Sequence, residues 1–117
     1  IQYINAHATS TPVGDLNEAK AIAEVFGNHR PYVTSTKSQT GHEMWMAGAS
    51  EVIYSILMMN NGFIAPNLNF EEPDEASALL NIPSRRIETE FDTFLSNSFG
   101  FGGTNSSLII RKFKENN

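Results

Sequence analysis

An α/β layered domain with a mixed sheet is the fold class this sequence predicts, from three observations. Short β-branched and aromatic runs near the front alternate with longer segments whose apolar residues recur at helical spacing. Two further strand-like runs close the chain, and a glycine-rich turn between them lets them pair antiparallel. With 117 residues, 40% of them hydrophobic, the chain is long enough to bury one core.

Residues 1–6 read as a strand that runs into the polar loop His7-Ala8-Thr9-Ser10-Thr11-Pro12-Val13-Gly14. Asp15 is expected at the N-cap of the first helix, with Glu18 three residues on, the spacing of a capping box. Leu16, Ala19, Ile22, Ala23 and Phe26 then share one face, and Gly27 stands where a terminating glycine belongs. Tyr32-Val33-Thr34-Ser35-Thr36 predicts the second strand. A second helix is expected from about Gly41 to Asn60. Its apolar residues, from Met44, Trp45 and Met46 to Met58 and Met59, go almost all the way round, which predicts burial between layers. Asn61-Gly62 ends it, and the Pro- and Asn-containing stretch 62–83 reads as loop. The closing strands are expected at Asp92–Phe99 and Ser106–Phe113.

Composition excludes several classes of function. Eight basic against 13 acidic residues leave a formal charge of −5, so no basic face is available for sequence-independent nucleic-acid binding. With no cysteine, the chain carries neither a disulfide framework nor a thiolate zinc site nor a cysteine nucleophile. The longest apolar stretch, Met44–Met59, holds Ser50, Glu51, Tyr54 and Ser55 and is too polar and short to span a membrane. The opening on a strand-like segment, without an initiator Met, reads as a piece of something larger.

His29 lies in an Asn-His-Arg-Pro turn and is expected to be exposed. His7 and His42 instead fall at element ends on the loop side of the sheet, where α/β proteins place their sites. They are 35 residues apart with no carboxylate in ligand spacing, which argues against a metal site. At the first turn of a helix, the His42 ring meets the positive end of the macrodipole, and Lys37 on the entering loop pushes the same way. Both disfavour imidazolium, leaving a neutral ring that can donate to a developing oxyanion. The competing reading of His42 is a solvated helix-end histidine. Glu51, inside the apolar helix, needs a partner, and Lys37 is the nearest plausible cation. Gly100-Phe101-Gly102-Gly103 lacks the third glycine of a G-x-G-x-x-G fingerprint and precedes a strand, so the nucleotide reading is rejected.

Asn5-Ala6-His7-Ala8-Thr9-Ser10-Thr11-Pro12-Val13-Gly14-Asp15, Ser35-Thr36-Lys37-Ser38-Gln39-Thr40-Gly41-His42 and Asn97-Ser98-Phe99-Gly100-Phe101-Gly102-Gly103-Thr104-Asn105 occur in that order. Together they resemble the β-ketoacyl-acyl carrier protein synthases, more narrowly the elongating enzymes of type II fatty-acid and polyketide synthesis. The resemblance covers the whole chain. It implies one domain over 1–117, the C-terminal half of a thiolase-like layered α/β fold truncated at its N-terminal side, with the nucleophilic cysteine in the other half.

The implied activity is a decarboxylating Claisen condensation of malonyl-carrier protein with an acyl thioester. By the same resemblance His7, Lys37 and His42 are the catalytic residues, the histidines stabilising the malonyl enolate and the lysine tuning them with Glu51 as its partner. Asp15 and Glu18 match acidic positions near the site, where the capping-box reading competes. Thr9 and Thr11 match residues touching the pantetheine arm, and Phe99 and Phe101 belong to the substrate-binding motif, Phe101 matching a gating phenylalanine. The implied protein is cytoplasmic, a homodimer served by acyl carrier protein, with no bound cofactor beyond the phosphopantetheine that carries its substrates, no nucleic acid and no membrane span. Isolated, this chain would be inactive.

Two departures stand out: Ala8 replaces the family's usual glycine, and Glu43-Met44-Trp45-Met46 is bulkier than usual, reshaping the acyl pocket or filling the core. A non-catalytic homologue, like a chain-length factor paired with an active subunit, is the alternative. A thiolase fits less well, since its chemistry needs a second cysteine in this half.

Overall fold

The computed structural model describes residues 1–7, 12–37, 47–67, 80–99 and 104–113. Strand β1 (Tyr3–Asn5) leads to helix α1 (Pro12–Phe26) and then strand β2 (Tyr32–Thr34). Helix α2 (Ala47–Asn61) precedes the short strands β3 (Phe63–Ile64) and β4 (Ile87–Glu88). Strands β5 (Thr93–Phe99) and β6 (Asn105–Arg111) follow. The main sheet runs β2-β1-β5-β6. β1 is parallel to both neighbours, pairing Tyr3 with Tyr32 and with Phe94, whereas β5 and β6 are antiparallel from Thr93↔Arg111 to Phe99↔Asn105. The sheet is mixed, as expected.

Alternation along β1 sorts the core into two layers. Tyr3 joins Met58, Met59, Ile64, Phe91 and Phe94 on the α2 side. Ile4 and Ala6 join Ile22 and Val33 on the α1 side, with Phe26 and Leu95 packed against them. Complete burial of one large apolar side chain, as at Ile4 or Phe94, is worth about 1.5–3 kcal/mol, so both layers anchor the strands whose C-terminal ends meet. The Tyr3 hydroxyl shares a 2.7 Å hydrogen bond with Thr34 Oγ1 inside the first layer. Burial pushes that phenol's pKa far above the usual tyrosine range; the Thr34 bond opposes the shift and the Glu51 charge adds to it.

Several elements differ from expectation. α1 begins at Pro12, so Asp15 lies in its first turn and is not the N-cap. Proline suits a first helical position because its missing N–H would have no intrahelical partner there. Glu18 turns toward the sheet, and Leu16 on the expected apolar face is 38% exposed. Gly27 does close α1, in the left-handed region at φ 53°. α2 buries Met58 and Met59 but leaves Ile53 and Leu57 more than half exposed. Its all-round apolar character is therefore matched by a packing layer on one face only among the described residues; residues 41–46 of the expected helix lie outside them. The stretch read as loop supplies β3, paired antiparallel with β4. Two-residue strands carry too little alternation to register as a period. β2 ends at Thr34 and β6 at Arg111, each two residues short of the expected end.

Candidate active site

The C-terminal ends of β1, β2 and β5 lie side by side, and the chain leaves them through Ala6-His7, Ser35-Thr36-Lys37 and Ser98-Phe99. Residues far apart in sequence are thereby brought to one sheet edge, the usual location of sites in parallel α/β folds.

His7 is held at both its main chain and its ring. Its backbone N–H donates to Glu18 Oε2 at 2.9 Å, and the Phe99 backbone N–H donates to His7 Nδ1 at 3.3 Å. The Phe99 ring packs against the imidazole with centroids 5.3 Å apart at 53°. A neutral imidazole that accepts at Nδ1 carries its proton on Nε2, so the second contact selects a ring that donates from Nε2. Glu18, read from sequence either as a capping-box residue or as an acidic group near the site, ties α1 to the strand ends; Oε2 also accepts from Asn97 Nδ2 at 3.2 Å.

Lys37 and Glu51 form a direct ion pair between Nζ and Oε1, with side chains only 5% and 3% exposed. The pairing expected from sequence is present, and it fastens the exit of β2 to α2. Beside it stands Asn5, fully buried at the end of β1. Its Nδ2 lies within hydrogen-bonding distance of Ser55 Oγ at 3.1 Å, Thr36 Oγ1 at 3.3 Å and the Glu51 carbonyl at 3.4 Å, while its Oδ1 accepts from the Thr36 N–H. One amide thus joins β1, β2 and α2 directly behind the Lys37–Glu51 pair. This buried polar cluster would be costly half-satisfied; satisfied, it specifies one arrangement of the three elements.

Of the residues nominated from sequence, the structure brings His7, Glu18 and Phe99 together at one point and Lys37 and Glu51 at another. Asp15 is half-buried in the first turn of α1. Thr9, Thr11, His42 and Phe101 lie outside the described residues, as do Ala8 and Glu43–Met46. His29 is exposed, as expected, and its Nε2 lies 2.6 Å from the Ile1 carbonyl oxygen. Sequence reasoning assigned no role to Asn5, Ser55, Asn97 or Ser107. The available signal was an uncharged polar residue inside a strand or apolar helix, which must find a buried partner. Among the described residues no group of three or more His, Asp or Glu is placed to hold a metal ion.

Residues 1–71 match the family model described as the β-ketoacyl synthase C-terminal domain. The chain belongs to the β-ketoacyl synthase family. It is 54% identical over 115 residues to 3-oxoacyl-[acyl-carrier-protein] synthase 1 of Escherichia coli (strain K12), covering 98% of this chain and 28% of that protein. Among solved structures, the ishigamide ketosynthase/chain length factor superposes with a TM-score of 0.91 at 35% identity, over 97% of this chain and 28% of that one. A type II polyketide ketosynthase bound to the hexaketide, in complex with its acyl-carrier protein, matches with a TM-score of 0.89 at 33% identity, over 97% and 28%. The thiolase-like layered fold expected from the sequence is therefore the fold of this chain, which spans little more than a quarter of the length of these β-ketoacyl synthase relatives.

Proposed function

We propose that the protein carrying this chain is a 3-oxoacyl-[acyl carrier protein] synthase of fatty-acid or polyketide biosynthesis, an acyltransferase for which this chain provides the histidine–lysine side of the site. The observation that carries the reading is the Phe99 N–H on His7 Nδ1, which puts the proton of a neutral ring on Nε2. Decarboxylation breaks the bond between the malonyl α-carbon and its carboxylate; carbon dioxide leaves and the electron pair moves onto the thioester oxygen. A neutral donor held rigidly at that oxygen stabilises the enolate at the moment charge appears. The enolate carbon then attacks the acyl thioester on the cysteine of the other half, and the thiolate departs.

The family resemblance adds His42 as the second donor, Phe101 as the gate, and Thr9 and Thr11 as contacts of the pantetheine arm. The Lys37–Glu51 pair ties the residues just after β2 to α2, and His42 lies between the two in sequence. Acyl carrier protein as donor of both substrates is supported by the relative named for it and by the neighbour seen in complex with one. The same reading takes the whole protein as a cytoplasmic homodimer with no cofactor of its own. Among the described residues no helix is long and apolar enough to cross a membrane. The retained His7, Lys37 and His42 favour this reading over a non-catalytic partner subunit.

The test is His7→Ala in the full-length protein. Malonyl decarboxylation is expected to fall on the order of 10²–10³-fold, with acyl transfer to the cysteine far less affected. Near-wild-type decarboxylation would remove His7 from the mechanism.

A further inference from the structure

We propose that Asn97, held by Ser107, is a positioning residue for His7, an inference that rests on the condensing-enzyme reading above. Asn97 lies on the face of β5 toward α1 and is only 7% exposed. Its Nδ2 donates to Glu18 Oε2 at 3.2 Å, the same oxygen that accepts the His7 backbone N–H. At the other end of the amide, Ser107 Oγ donates to Asn97 Oδ1 at 2.7 Å from the directly opposed position on β6.

An asparagine amide has one accepting and one donating end. With the hydroxyl proton on Oδ1, the NH₂ group faces the carboxylate; the flipped amide would set oxygen against oxygen. The carboxylate, which only accepts, fixes that orientation, and the Ser107 hydroxyl, which can donate or accept, holds it by donating to Oδ1. Phe99 stands two residues on along the same strand and donates to His7 Nδ1. β5 consequently holds His7 at two points, through Asn97 and Glu18 at its main chain and through Phe99 at its ring.

The two points depend on each other. The Phe99–His7 contact is already long at 3.3 Å, and hydrogen bonds of that length weaken quickly with further separation. If the Glu18 carboxylate swings when Asn97 is lost, the His7 main chain shifts with it and Nε2–H leaves the place where the enolate oxygen forms. Asn97 touches no reacting atom; it sets where the donor stands. Cysteine acylation does not use this donor and should be spared.

The experiment compares Asn97→Ala, Ser107→Ala and Ser107→Thr in the full-length synthase, with His7→Ala as reference. Two rates are read: decarboxylation of malonyl-carrier protein and acylation of the cysteine by acyl-carrier protein. Asn97→Ala is expected to lower decarboxylation about ten- to a hundredfold, as a misplaced catalytic group does, while acylation stays within about twofold of wild type. Ser107→Ala should lose decarboxylation in the same sense but less, and Ser107→Thr, which keeps the hydroxyl, should restore it. The proposal is overturned by unchanged decarboxylation in Asn97→Ala, or by both rates falling together as in general destabilisation. Should Asn97→Ala fail to fold, equal decarboxylation in the two Ser107 variants overturns it alone. Full decarboxylation in His7→Ala alongside a loss in Asn97→Ala would instead strike the role given to His7 in the condensing-enzyme reading.

Discussion

Lys37 and Glu51 illustrate how a single buried contact joins two elements at the candidate site. Both side chains are almost fully withdrawn from water, so each charge is tolerable only because the other is present. Removing two ions from water costs about as much as their attraction returns, yet stranding one of them typically costs about 3–5 kcal/mol. Glu51→Ala in the full-length protein is therefore expected to destabilise by about that amount, as read from urea unfolding. The double change Lys37→Met with Glu51→Leu should recover most of the loss while leaving condensation impaired, because the pair that ties the exit of β2 to α2 is gone. A double variant as unstable as the single one would contradict this account.

At the scale of elements, the site depends on where helices stop and which layer they join. α1 ends on Gly27 at φ 53°, and a Cβ built there meets no atom within 4 Å. Space is thus not the constraint; backbone conformation is. Gly27→Ala should cost about 1–2 kcal/mol, the penalty for placing an L-residue in the left-handed region, with the site geometry kept. The check is a lowered melting temperature with unchanged malonyl decarboxylation. The approach of α2 to β5 is governed differently. A Cβ on Gly48 would come within 3.2 Å of Ser98 Oγ, so the small residue lets the helix bearing Glu51 settle close to the strand bearing Asn97 and Phe99.

At the scale of the whole molecule, α2 and β6 expose large apolar side chains. Ile53 and Leu57 on α2 are 56% and 52% exposed, and Leu108 on β6 is 50% exposed. Between them runs an open groove of about 420 Å³ lined by Gly48, Ala49, Val52, Ile53, Ser98 and Leu108, among others. Contiguous apolar patches beyond a few hundred Å² seldom remain unpaired in water. On the proposed reading the remainder of the synthase lies here, against the exposed face of α2. The isolated 117-residue chain is accordingly expected to self-associate in sedimentation and, having no cysteine, to form no acyl-enzyme or 3-ketoacyl product with acyl- and malonyl-carrier protein. A covalent acyl mass shift or enzyme-like turnover would mean that a nucleophile is present where none is expected.

The first strand, the glycine stop after α1, the antiparallel closing pair and the Lys37–Glu51 partnership were legible in the amino-acid sequence. Each follows from a local rule: side-chain period, backbone freedom at glycine, or the need of a buried charge for its opposite. The candidate histidine at the end of β1 was legible for the same reason, since strand ends are local features. The tertiary structure decided what faces what. Glu18 and Asp15 satisfied a capping pattern in sequence, yet Pro12 began the helix earlier and Glu18 found His7 and Asn97 across the sheet edge. Asn5 and Asn97 carried no local mark of function, because their partners lie up to 50 and 79 residues away, respectively, and meet them only once the strands pair in register. Local preference reads along the chain, whereas a hydrogen bond across the sheet depends on how β1, β5 and α1 pack together, and no short window of sequence contains all three.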